Sequence, residues 1–195
     1  MLPSYVLTVL PADGADEDEG YIQPGPVEMG DLDGVPIVGV SGPRAKYAVR
    51  EYDGPTVLVT TNNRSLELPV NQPVAVSGLL HVATPEWPIE PRALDLDIDI
   101  PKPYAGWVRA EHLRHGDGVF WEPVAEGLRW IDLVMSVERL PSKARKSSRL
   151  QILTAPTYFV AATESVRHGL LVSGTLAPEL KQKNDSETEA PKGTE

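Results

Sequence analysis

Period two dominates this chain. From Val35 onward, apolar and polar residues alternate in short runs, the spacing of strands whose successive side chains point to opposite faces. Leu94, Leu96, Ile98 and Ile100 alternate with Asp95, Asp97 and Asp99, so one face is aliphatic and the other carboxylate. Such an aspartate row is ordinarily the wet face of an edge strand, where charge blocks aggregation; a metal site is its rarer use. Ile131, Leu133, Met135 and Val137 form another one-sided row. Ser4 to Leu10 reads as a first strand. Lys46 to Thr61 has hairpin form with Asp53-Gly54 as its turn, and Asn62-Asn63 marks the next reversal, before Ser65 to Leu68. With 19 prolines and 16 glycines the chain is cut too often for long helices. Only Val108 to Arg114 invites a helical reading, barely two turns long. The expected fold class is all-β: one domain of many short strands with one short helix.

The two ends differ from this body. Ala12 to Gly20 holds Asp13, Asp16, Glu17, Asp18 and Glu19, whose mutual repulsion favours an exposed loop; their spacing does not match a calcium-binding EF-hand loop. After Leu180 no aliphatic residue larger than alanine follows, so the end of the chain cannot offset its entropy by burial and is expected to be disordered. The expected organisation is an N-terminal strand and acidic loop over 1–20, a β domain over 21–176 and a polar tail over 177–195. Met1 to Leu10 carries no basic residue, which argues against a secretory signal and leaves the compartment open. The apolar runs are far shorter than the roughly 20 residues that span a bilayer, so no membrane helix is expected.

Charge and cysteine narrow the chemistry. With 28 acidic against 18 basic residues among 195, the formal charge is −10, the wrong sign for non-specific nucleic-acid binding, which needs a basic face to displace counterions. Cysteine is absent, which removes disulfides, thiolate zinc sites and every cysteine nucleophile. Neither a Gly-x-Ser-x-Gly elbow nor a His-Glu-x-x-His pair is present. No cofactor and no small-molecule substrate is expected.

Three stretches in order carry a family resemblance. Leu66-Glu67-Leu68-Pro69-Val70-Asn71-Gln72-Pro73-Val74 comes first. Gly106-Trp107-Val108-Arg109-Ala110, Leu113 and Gly116-Asp117 come next, then Thr157-Tyr158-Phe159-Val160 with Val166-Arg167-His168-Gly169. By element order and spacing, from about Val35 to Gly169, the chain resembles a Hint domain, the self-cleaving β-fold shared by inteins and hedgehog proteins. That family opens on a nucleophilic cysteine or serine, carries Thr-x-x-His in its second element and closes on His-Asn. The resemblance therefore implies a nucleophile that attacks the preceding carbonyl and an asparagine that cyclises. Here Pro69 stands for the threonine, Gln72 for its histidine and Gly169 for the asparagine; of these positions only His168 is retained. The remaining nucleophiles, Ser4 and Ser41, lie in no recognisable opening motif. The resemblance thus implies a scaffold without most of its self-processing groups, and the chain is expected not to be an enzyme.

Other residues offer alternatives. His112, His115 and Asp117, with Glu111, have the spacing of a metal cluster, but a surface cap at the end of a short helix is their ordinary explanation, and no metal is expected. Arg139, Lys143, Arg145, Lys146 and Arg149 form an acid-free basic stretch, either a solvated loop or a docking loop for an acidic surface such as the Asp13–Glu19 loop of another copy. Trp87, Trp107, Trp121, Trp130, Tyr104, Phe120, Tyr158 and Phe159 suffice for an aromatic core, with sugar or peptide stacking as the other use. Three functions follow. The leading one is a non-catalytic structural or interaction module with a protein partner or self-association; by the resemblance alone this extends to a phage or bacterial structural or accessory protein. The second is autoprocessing by Ser4 or Ser41 with His168. The third is a sugar- or peptide-binding β module.

Overall fold

A computed structural model describes residues 5–11, 22–32, 34–39, 42–77, 93–94, 104–123, 130–141, 150–162 and 168–178. The strands are β1 Tyr5–Pro11, β2 Ile22–Glu28, β3 Ile37–Gly39, β4 Gly42–Arg44, β5 Ala48–Tyr52, β6 Thr56–Thr61, β7 Ser65–Pro69 and β8 Pro73–Ser77. They continue as β9 Ala93–Leu94, β10 Tyr104–Arg109, β11 Gly118–Pro123, β12 Trp130–Leu140, β13 Leu150–Thr154, β14 Thr157–Ala161 and β15 His168–Ser173. Among the described residues, 13 strands join in one sheet in the order β4-β3-β1-β14-β15-β8-β11-β12-β6-β7; β10 lies beside β8, β9 beside β10 and β2 beside β1. Strands β13 and β5 pair antiparallel as a separate ribbon. The fold is all-β, as the period-two pattern predicts.

The alternation places neighbouring side chains in two different cores. Val6, Tyr158, Val160, Leu170, Val172, Val74 and Val108 belong to one cluster. Leu7, Phe159, Ala161, Leu171, Ala75 and Trp107, their immediate chain neighbours, belong to the other. The registers agree: Val74 lies opposite both Val108 and Val172, and Tyr158 opposite Val172, while Ala75 lies opposite Trp107 and Phe159 opposite Leu171. Central strands buried on both faces read as continuous apolar runs, which explains Tyr158-Phe159-Val160-Ala161 and Leu170-Leu171-Val172. Each such aliphatic or aromatic side chain stabilises the fold by about 1.5–3 kcal/mol relative to exposure. Trp107, Tyr158 and Phe159 are all buried, so these three rings serve the core and offer no face to a sugar or peptide.

Three local expectations change. The Asp53-Gly54 hairpin does not form: β5 pairs with β13, and β6 pairs with β7 and β12. A two-residue turn at these positions is closed by the N–H of the following residue, and Pro55 has none. The Pro55 carbonyl instead accepts from Tyr52 OH at 3.0 Å and Val70 N at 3.1 Å. The expected helix over Val108–Arg114 is a single 3-10 turn, Ala110–His112, because Val108 and Arg109 are still paired in β10 with Val74 and Pro73. Finally, Ile131, Leu133 and Met135 are 38, 39 and 46% exposed, whereas Asp132 and Val134 point inward. The strand is phased by its inward pair: Val134 exchanges backbone bonds with Gly116 and Asp117, and Asp132 accepts from Thr61 Oγ1 at 3.0 Å and Asn63 Nδ2 at 2.6 Å. A bulge between Val134 and Ser136 then resets the parity, so that Val137 packs against the core. The Asn62-Asn63 reversal joins β6 to β7 as expected, with Thr61 N bonded to Arg64 O at 2.7 Å.

The acidic loop over 12–20, the aspartate row at Asp95–Asp99, Trp87 and the tail from 179 onward lie outside the described residues.

Candidate functional site

The turn Val70–Gln72 between β7 and β8 organises the site. Gln72 N donates to Pro69 O at 3.1 Å and closes the turn. Two of its carbonyls receive the end of β10: Ala110 N donates to Gln72 O at 2.8 Å and Glu111 N to Val70 O at 3.0 Å. The Asn-Gln-Pro and Gly-Trp-Val-Arg-Ala stretches, far apart in sequence, are therefore stitched together by main-chain bonds.

The third stretch arrives through β15. Its Val172 pairs with Val74, and carrying that antiparallel register two residues further brings Gly174 opposite Gln72. The Gln72 side chain is 1% exposed, and its Nε2 donates to the Ser173 carbonyl. Asn71 holds the next part of the chain at two points: its carbonyl accepts from Ala177 N at 3.0 Å, and its Nδ2 donates to Ala177 O at 2.7 Å. The Ser173 hydroxyl accepts from Thr175 N at 3.1 Å and so shapes the loop between these two anchors. Neither Ser173 nor Gly174 was marked by sequence spacing; only the β8–β15 register identifies them as the residues that meet Gln72.

Gly174 fits because it has no side chain. A Cβ there would collide with the Ala155 carbonyl oxygen and lie 2.5 Å from Ala155 N and 2.7 Å from Leu153 O. That wall is the tight turn between β13 and β14, and it is itself pinned from below. Tyr158 OH accepts from Leu153 N at 3.4 Å. Burial of the ring pushes the phenol pKa up to about 12, only partly offset by that backbone bond.

His168 and Gly169 sit elsewhere. They open β15 opposite Pro123 and Glu122 of β11. His168 is six residues from Gly174, roughly 20 Å along an extended strand. Gly169 is also confined: a Cβ would lie 2.5 Å from Phe159 Cβ and 3.1 Å from Leu7 Cδ1. Ser4 and Ser41 lie outside the described residues.

The remaining candidates do not join this site. Asp117 is buried, and its Oδ2 accepts from Arg114 N at 2.8 Å. With Gly116 at φ 88°, a left-handed value that favours glycine, it builds the turn into β11. His115 is exposed, with Nδ1 at 3.1 Å from Met135 O, and His112 is half-buried on the 3-10 turn. Among the described residues no three His, Cys, Asp or Glu side chains gather as a metal site. Arg139 is exposed on β12, while Lys143, Arg145, Lys146 and Arg149 lie outside the described residues. Asn71 Oδ1 and Arg109 Nη1 are buried and have no hydrogen-bond partner among the described residues.

No family model matches the chain, and no curated protein does. Among solved structures it is similar to the VidaL intein in its selenomethionine variant, at 16% identity over 91% of this chain and 97% of that one, with a TM-score of 0.44. It is similar to a bacterial intein-like domain from Clostridium thermocellum at 13% identity, over 89% of this chain and 99% of that one, with a TM-score of 0.45. The corresponding values for the MchDnaB-1 intein are 16%, 90%, 95% and 0.41. All three are intein or intein-like domains.

Proposed function

We propose that the chain is a non-catalytic structural or interaction module on a Hint-like β scaffold. One observation carries this reading: at the position where the resemblance calls for a proton-shuttling histidine, the fully buried Gln72 amide is committed to the Ser173 carbonyl. A carboxamide does not titrate near neutral pH and cannot hand a proton to a leaving amine. Pro69, in place of the threonine, brings neither a hydroxyl nor an N–H.

The closing end of the site supports the same reading. The residues that converge with Gln72 are Ser173 and Gly174, so we take these as the closing pair in space, with His168-Gly169 as strand positions remote from it. On either assignment a glycine stands where a cyclising asparagine would be needed, and both glycines occupy space that a Cβ would invade. Restoring the side chain would require the backbone to move first. A role within a larger phage or bacterial assembly belongs to this proposal through the resemblance alone, and copurification with particles tests it.

Cleavage itself is tested by incubating the purified chain overnight between pH 5 and 9 and resolving the products. The expected outcome is one intact species at every pH. Fragments ending near Ser173 or His168, or a chain shortened at Ser4 or Ser41, would refute the reading.

A further inference from the structure

We infer that Asn71 and Gln72 form a peptide-backbone clamp whose ligand is this chain's own segment Ser173–Ala177. The inference rests on the proposed loss of cleavage, since a site that cut this segment could not hold it. Three bonds define the clamp: Gln72 Nε2 to Ser173 O, Ala177 N to Asn71 O, and Asn71 Nδ2 to Ala177 O. All engage main-chain atoms of the bound segment, so the clamp recognises a peptide path and not a side-chain identity. Between the anchors the segment needs only to turn, and the Ser173 hydroxyl, bonded to Thr175 N, supplies that turn.

The surroundings make the clamp tight. Ser173 and Ala177 are 0 and 2% exposed, whereas Thr175 between them and Pro178 after them are exposed. The segment dips into the protein at two points and emerges at Pro178. Gly174 lies under the Ala155 carbonyl, which leaves this path no lateral freedom. Inside the protein such bonds are electrostatically stronger than in water, and an unpaired carbonyl at either anchor would carry its full desolvation penalty. The chemistry that would release a peptide is thus replaced by donors that retain one.

The test is hydrogen–deuterium exchange of the full chain, followed in peptides covering residues 170–178. In the native protein, Ala177 and its neighbours are expected to exchange as slowly as β14. The isosteric variants Gln72→Glu and Asn71→Asp replace a donor by a carboxylate facing a carbonyl. Each is expected to speed exchange across Ser173–Ala177 at least tenfold at pH 8 relative to the native chain at that pH, and less at pH 5, where a protonated carboxyl can donate again. Exchange in β1, β6 and β12 should be unchanged. Native exchange in this segment at loop rates, or unchanged protection in both variants, would overturn the clamp. Should a variant unfold throughout, limited proteolysis of the native chain decides. First cuts beyond Pro178 support the clamp, and a cut within Ser173–Ala177 sinks it. A chain that stays intact yet exchanges rapidly here defeats the clamp alone; a chain that cleaves itself defeats the functional reading beneath it.

Discussion

Gln72 is a buried amide with a structural task. Its amide is buried and bonded, so its removal leaves a void and takes one donor from the Ser173 carbonyl. Gln72→Ala should lower stability by about 2–4 kcal/mol, read from the denaturant midpoint. Gly174 is more confined. Gly174→Ala should cost about 3 kcal/mol or more, because backbone atoms, not a flexible side chain, stand where the methyl would go; an unchanged midpoint would show that the turn at Ala155 yields freely. Tyr158 gives a pH signature. Its phenol ionises near pH 10 when unfolded but only at about 12 when folded, so between those values the unfolded chain releases a proton that the native chain keeps. Stability should therefore be complete below pH 10 and fall by about 1.4 kcal/mol per pH unit above it. Tyr158→Phe should flatten that part of the profile, at the expense of the bond to Leu153 N.

At the scale of elements, β12 is the instructive case. A row of aliphatics at period two invites an inward assignment, yet a one-residue change of phase sends every side chain to the other face. The phase was not legible because its determinants are remote: Thr61 and Asn63 fix Asp132, and the Gly116-Asp117 turn fixes Val134. Two substitutions compare the faces directly. Val134→Ala should cost about 2 kcal/mol or more, whereas Met135→Ser, on the exposed face, should stay within about 0.5 kcal/mol. The reverse ranking in thermal or chemical unfolding would mean that the strand is phased as its pattern first suggests. Asp132→Ala should loosen the β6–β7 turn, seen as faster amide exchange at residues 61–64, since it removes the acceptor for both Thr61 and Asn63. The Asp53-Gly54 turn teaches a similar lesson at shorter range: Pro55 was visible in the sequence, and its missing N–H was sufficient reason to reject a tight hairpin.

Across the whole molecule, the all-β class was legible because strands buried on both faces leave continuous apolar runs, as in Tyr158–Ala161, and half-buried ones leave alternation. The order of motifs in the Hint-like resemblance singled out Asn71-Gln72 and Gly106–Ala110, but not the main-chain bonds that join them. The meeting of Gln72 with Ser173 was not legible either, since a strand's register against a distant partner is set by cooperative pairing and not by local spacing; His168-Gly169 and Ser173-Gly174 are both reasonable ends of an apolar run. The central claim is that this β scaffold keeps a peptide where a self-processing Hint domain would cut one. Its most direct test is intact mass of the full chain after prolonged incubation with hydroxylamine at alkaline pH, the condition under which an oxygen ester formed by a serine nucleophile is cleaved. The account predicts one species at 21.2 kDa with no fragments. Hydroxylamine-dependent fragments would reveal an acyl intermediate and contradict it.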